Sequence, residues 1–81
     1  MIVKIFVTPR KGILDPQGRA TEGALKSLGF KETKSVHVGH YVVIDLDSPS
    51  RDAAAATAHR MCEQLLANPL IEDYRIEVDD G

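Results

Sequence analysis

Arg10-Lys11-Gly12-Ile13-Leu14-Asp15-Pro16-Gln17-Gly18 holds the end of one strand and the start of one helix. Ahead of it, Val3, Ile5 and Val7 alternate with Lys4 and Thr8, the two-residue period of a half-buried strand. Pro9 cannot donate to a sheet ladder, so the strand ends there or lies at an edge. Phe6 shares a face with Lys4 and Thr8, and an aromatic at that position predicts that the second face is partly covered. Asp15 reads as an N-cap, with Pro16 at the first helical position, because a carboxylate there accepts first-turn amide hydrogens that have no partner in the helix. Ala20, Ala24 and Leu28, with Leu25 beside them, form one helical stripe, and Gly29 is the expected stop. Gly23 costs about 1 kcal/mol relative to alanine inside a helix, and close approach of a neighbouring backbone would explain it.

A second run, Leu65-Leu66-Ala67-Asn68-Pro69-Leu70-Ile71-Glu72-Asp73-Tyr74, makes the reverse transition, from helix to strand. Its helix starts at Ser48 as cap with Pro49 in the first turn. Ala54, Ala58, Met61 and Leu65 recur at helical spacing as the core stripe, widened by Cys62 and Leu66. Asn68-Pro69 stops the helix, since the residue before proline avoids helical angles. Tyr74, Ile76 and Val78 then alternate with Asp73, Arg75 and Glu77 in a final strand. Between the helices, Val36, Val38, Val42, Ile44 and Leu46 fall on even positions, and the alternation runs through Gly39-His40 without a phase break. A hairpin turning at Gly39 and a single long strand bent there both fit; two strand segments joined near Gly39 is the favoured reading. The order is βαββαβ in one domain over residues 1–81. It predicts an α+β two-layer sandwich with two helices on one face of an antiparallel sheet, ferredoxin-like being the simplest topology.

A chain of 81 residues buries a modest share of its surface, and its single cysteine excludes an internal disulfide. A partner chain is the natural source of further buried area, with the sheet edges as the expected homodimer contact. The net charge of −2 gives no bias toward polyanions, and few aromatics offer no stacking platform for RNA. No apolar run approaches the ~18 residues of a membrane span. Apolar–polar alternation begins at once, unlike a signal peptide, and a lone thiol fits the cytosol.

No catalytic set emerges. His59 and Cys62, three apart on the helix, have the spacing of half a metal site or a Cys–His pair, but no second cluster lies near, and a buried structural cysteine is expected. His37 and His40 fall on opposite faces of a continuous strand; His40, in an apolar stripe, is expected at a strand end or an interface. Asp45, Asp47, Asp52, Glu72 and Asp73 read as solvated or capping carboxylates, and the Asp79-Asp80 tail as frayed. Arg10-Lys11-Gly12 before a helix start suggests phosphate, yet it lacks the glycines and the Gly-Lys-Ser/Thr of a P-loop. A charged docking loop is the better reading.

The two runs together resemble the PurS family, the small subunit of phosphoribosylformylglycinamidine synthase. The pattern continues with Ala24-Leu25, Leu28-Gly29, Val36 and Val38-Gly39, Met61-Cys62, Asn68-Pro69, Ile71-Glu72 and Tyr74. Pro9, His40 and His59-Arg60 depart from it. The resemblance implies a cytoplasmic, non-catalytic subunit in purine biosynthesis. It would assemble an ATP-dependent large synthase subunit with a glutaminase subunit and support ammonia transfer. ATP and Mg would reside in the large subunit, with no cofactor or metal in this chain, and the chain would form a homodimer or homotetramer. The expected partner contacts are Arg10, Lys11, Asp15, Gln17, Asn68, Glu72 and Tyr74. The alternative is a small-ligand regulatory module of ferredoxin-like fold, binding at a dimer interface.

Overall fold

The computed structural model describes residues 1–13 and 15–79. Leu14 of the first run and Asp80 of the tail lie outside the described residues. The elements run β1 (Ile2–Pro9), α1 (Pro16–Ser27), β2 (His40–Asp45), α2 (Arg51–Met61), a π-helical turn (Cys62–Leu66) and β3 (Glu72–Asp79). The three strands form an antiparallel sheet in the order β2-β1-β3. Central β1 faces Ile44 and Val78 at Val3, Val42 and Ile76 at Ile5, and His40 and Tyr74 at Val7. Because side chains alternate along a strand, this register puts every apolar odd residue of β1 on the face shared with Val42, Ile44, Ile76 and Val78.

Helix α2 covers that face. Val3, Ile5, Val7, Ala54, Ala58 and Cys62 are fully buried, with Ala67 closing the cluster. The small side chains of Ala54 and Ala58 let the helix axis lie close to the sheet. Each buried valine or isoleucine contributes on the order of 1.5–3 kcal/mol of burial. Ser50, rather than Ser48, caps α2: its Oγ accepts from the Ala53 amide at 3.1 Å, and Ser48 lies two residues before the cap.

The helical stripe also breaks where α-helical spacing does not foresee it. The Ala67 amide donates to the Cys62 carbonyl at 3.1 Å, a five-residue π bond. That one-residue expansion turns Leu66 and Ala67 inward and leaves Leu65 83% exposed. Leu65 is therefore not a core residue of this chain. At the other end of the sheet, Asp79 is held, not frayed: it pairs with Ile2 in the ladder and its carboxylate meets Lys4 Nζ at 2.8 Å.

The middle of the chain contains one strand instead of two. Residues 34–39 belong to no strand, and no hairpin turn forms at Gly39. The chain continues through Gly39 into β2. A side chain at Gly39 would overlap the Val7 carbonyl oxygen, so glycine is required for backbone crossing backbone. Gly18 plays the same part against the Val36 carbonyl. Gly23, by contrast, meets nothing within 4 Å, so no close approach explains it.

Of the two helices expected on the sheet, α2 is in place and α1 stands clear of its own sheet. Its stripe is uncovered: Ala20 and Ala24 are exposed, Leu28 is 75% exposed, and Gly18 is the helix's buried residue. The return segment folds back along α1, with Ser35, Val36 and His37 beside Asp15, Arg19 and Glu22. The result is elongated, 49 × 27 × 14 Å, with a radius of gyration of 15.8 Å. A compact domain of this length has a radius near ~12 Å.

Candidate functional site

The two sequence runs that flank the helices meet at one end of the sheet. Arg10 follows β1, and its amide donates to the Ile71 carbonyl at 2.8 Å. Its Nε lies 3.3 Å from the Glu72 carbonyl and 3.5 Å from Asp73 Oδ1. The loop then reverses at Gly12, whose φ of 89° is the left-handed conformation that favours glycine. Across from it, Asn68 organises the second turn. Its carbonyl accepts from the Ile71 and Glu72 amides at 3.1 and 2.8 Å, and its Oδ1 accepts from Leu70 at 3.1 Å. Glu72 Oε1 accepts from the Asn68 amide at 2.7 Å. Hydrogen bonds within residues 68–72 and from Arg10 thus hold this turn, which presents Leu70 and Ile71 outward, 82% and 43% exposed.

Asp15 joins this end through a shallow hollow lined by Pro9, Ile13, Pro16, Ile71 and Glu72. It occupies the N-cap position of α1, but its carboxylate closes no cap on its own helix. Instead Oδ2 accepts from the Val38 amide at 2.7 Å, tying the helix start to the return segment. That amide, then the nearby Gly18 amide, holds the Asp15 carboxyl below the usual carboxylate range. Lys11 and Gln17 are exposed.

Tyr74 lies on the inner face at the start of β3. Its hydroxyl is 2.7 Å from His59 Nδ1 and donates to Glu63 Oε1 at 2.7 Å. Burial first, and then the Glu63 carboxylate, pushes the phenol up to about 12. It stays protonated at neutral pH and serves as a hydrogen-bond donor. His59 therefore belongs to Tyr74 and Glu63 and makes no pair with Cys62. The Cys62 thiol is buried inside the core and shifted upward by that burial, which makes it a poor nucleophile. Among the described residues, no three His, Cys, Asp or Glu side chains are placed to hold a metal ion.

Of the seven expected contact residues, Arg10, Asn68 and Glu72 form one hydrogen-bonded pair of loops, Asp15 borders them, and Tyr74 follows directly in β3. Leu70 and Ile71 complete this surface and were not singled out from sequence. The signal was two apolar residues directly after a helix-stopping Pro69, where a turn ordinarily carries polar ones.

The opposite sheet face explains Phe6. Its ring stacks on Tyr41 at 4.9 Å between centroids, and the Arg75 guanidinium lies 4.4 Å above it. The cover expected over Phe6 comes from its own sheet, as an aromatic–cation row across three strands.

Comparison with known proteins gives a consistent result. The family model for PurS, phosphoribosylformylglycinamidine (FGAM) synthase, matches residues 2–80. The phosphoribosylformylglycinamidine synthase subunit PurS of Bacillus subtilis (strain 168) is 41% identical over 78 residues, covering 96% of this chain and 92% of its own. The C2 crystal form of B. subtilis PurS has the same fold at a TM-score of 0.87 and 40% identity, over 98% of both chains. PurS of Methanocaldococcus jannaschii, one of the subunits of formylglycinamide ribonucleotide amidotransferase in the purine biosynthetic pathway, matches at 0.85 and 33% identity. That match covers 96% of this chain and 94% of the other.

Proposed function

Because the chain belongs to the PurS family of phosphoribosylformylglycinamidine synthase, we propose that it acts without an active site of its own. In this reading it joins the large ATP-dependent subunit to the glutaminase subunit in the cytoplasm and supports ammonia transfer between them. ATP and Mg are bound by the large subunit. The chain itself works as a homo-oligomer, a dimer or tetramer.

The observation that carries this reading is the convergence of the two family runs at one end of the sheet. There Arg10, Asn68 and Glu72 hold two loops together, leaving Lys11, Gln17, Leu70 and Ile71 facing solvent. Such a surface mixes apolar contacts with charges, and the charges govern encounter and specificity more than affinity. Asp15 sets the angle of α1 beside it, and Tyr74 anchors the strand to α2.

The test is glutamine-dependent amidine formation by the large and glutaminase subunits, with and without this chain. Activity that appears on addition, with none from the chain alone, is the expected result. Full activity without it refutes the assembly role. Replacing Arg10 and Lys11 together with alanine should leave the fold intact, since the Arg10–Asp73 pair is exposed and such pairs contribute ~1 kcal/mol or less. The double variant should weaken assembly in a pull-down titration; unchanged affinity would remove these residues from the docking surface.

A further inference from the structure

Strand β3 is an edge of the sheet, bonded to β1 on one side and, among the described residues, to no strand on the other. Its eight residues pair with β1 without a break, from Ile2–Asp79 to Pro9–Glu72, and include no proline or lysine. Proline, lysine and bulges are the usual devices that keep an edge strand from pairing with another chain. The inner residues Tyr74, Ile76 and Val78 are half-buried, whereas Val3, Ile5 and Val7 of central β1 are fully buried. Beside this edge, α2 leaves an open hollow of 580 Å³ lined by Arg51, Asp52, Ala55 and residues 76–79. The other edge, β2, is shorter, and its outer-face residues Tyr41, Val43 and Asp45 include no cation.

The outer face of β3 carries Asp73, Arg75, Glu77 and Asp79. Read against its own reverse, this series is complementary. With a two-fold axis at Ile76, Arg75 of each copy falls opposite Glu77 of the other, so the ion pair forms twice. On the inner face Ile76 meets Ile76 and Tyr74 meets Val78, so apolar meets apolar. Asp73 falls opposite Asp79, but each already has its own cation, Arg10 at 3.5 Å and Lys4 at 2.8 Å. Moving the axis to Arg75 or to Glu77 sets that charge against itself. Moving it to Tyr74 shortens the ladder to residues 72–76 and lays the Glu72 carboxylate beside Ile76. Within one copy Arg75 and Glu77 meet at 3.0 Å on the exposed surface, and pairing across the strands replaces that contact with an equivalent one. We propose that β3 pairs antiparallel with β3 of a second copy, in the register centred on Ile76, with the hollow beside α2 leaving room for the other copy's helix. This rests on the homo-oligomeric reading above and adds an edge and a register to it.

The experiment is oxidative cross-linking of full-length chains carrying Arg75→Cys or Glu77→Cys, alone and mixed. Directly opposite Cβ atoms lie about 4.5–5.5 Å apart, against about 7–8 Å for the diagonal neighbours, and a disulfide needs the shorter span. The expected result is a disulfide dimer in the mixture, little in either variant alone, and none in the wild type, whose Cys62 is buried. No cross-link in the mixture, or equal cross-linking in the single variants, overturns the proposal. Light scattering across a concentration series gives the second readout. E77R sets arginine against arginine at both pairs and should raise the dissociation constant roughly tenfold or more, with circular dichroism unchanged because the position is exposed. The swap R75E/E77R restores opposite charges and should recover most of the association. A wild-type monomer, or dissociation unchanged in E77R, also overturns the proposal. Activation of the large and glutaminase subunits by the wild-type chain is read separately, so failure of the subunit role and failure of this contact are distinguishable.

Discussion

Replacing Gly39 with alanine tests whether the crossing at the end of β1 is as tight as its geometry implies. The added Cβ would overlap the Val7 carbonyl oxygen and lie 3.1 Å from Val7 C and 3.2 Å from Thr8 Cα. All three are backbone atoms, and Val7 is paired on both sides, with His40 and with Tyr74. No flexible side chain can yield, so β1 or the return segment must shift. The φ of Gly39 is not positive, so the cost is steric and not conformational. Overpacking of this kind costs ~1–3 kcal/mol. With a urea m-value near ~1 kcal/mol/M, the low end for small domains, the midpoint should fall by about 1–3 M. Gly23→Ala is the control. It adds the same methyl inside α1, where nothing lies within 4 Å, and should stabilise by ~0.5–1 kcal/mol through helix propensity. Both are read at one protein concentration, because association shifts apparent stability. If Gly39→Ala unfolds within about 0.3 M of wild type, the contact is not rigid and the steric requirement for glycine there fails.

Ile5, central in the sheet and fully buried, should cost ~2–5 kcal/mol when cut to alanine, read by thermal or urea unfolding; a loss under ~1 kcal/mol would mean that the core relaxes around the cavity. Asp15 gives a pH signature. Its folded pKa is lowered, so the unfolded chain binds the proton first and the contribution to stability is complete above the unfolded value near ~4. That contribution is lost as pH falls through the folded value. Asp15→Asn should therefore flatten the fall of the urea midpoint below pH ~4, and identical pH profiles would show that the Val38 contact does not favour the charged form.

Much of this structure is legible in local sequence. Val3, Ile5 and Val7 announce β1, Pro16 starts α1, Asn68-Pro69 ends the second helix, and Tyr74, Ile76 and Val78 give β3. The misreadings arise where tertiary contacts decide. Periodicity at Val36 and Val38 is that of a strand, but a strand needs a neighbour, and the fold brings α1 there instead. The Ala20–Leu28 stripe has the pattern of a buried face, which says nothing about whose surface buries it. Leu65 matches α-helical spacing from Ala58, and only the π bond at Ala67 turns it outward. The candidate site was visible as two charged, glycine- and proline-punctuated runs; that they touch depends on β1 and β3 being neighbours, a long-range fact.

The π turn has a further consequence, for insertions and deletions. A helix that closed Cys62–Leu66 in ordinary α geometry would reach Asn68 with one residue to spare, rotated by ~100° about the axis. The turn that seats Arg10 would then face a different direction while every core contact upstream stayed as it is. This segment therefore sets the aim of the proposed docking end against the sheet. A single-residue length change between Cys62 and Asn68 would re-aim that end and also disturb the inward packing of Leu66 and Ala67.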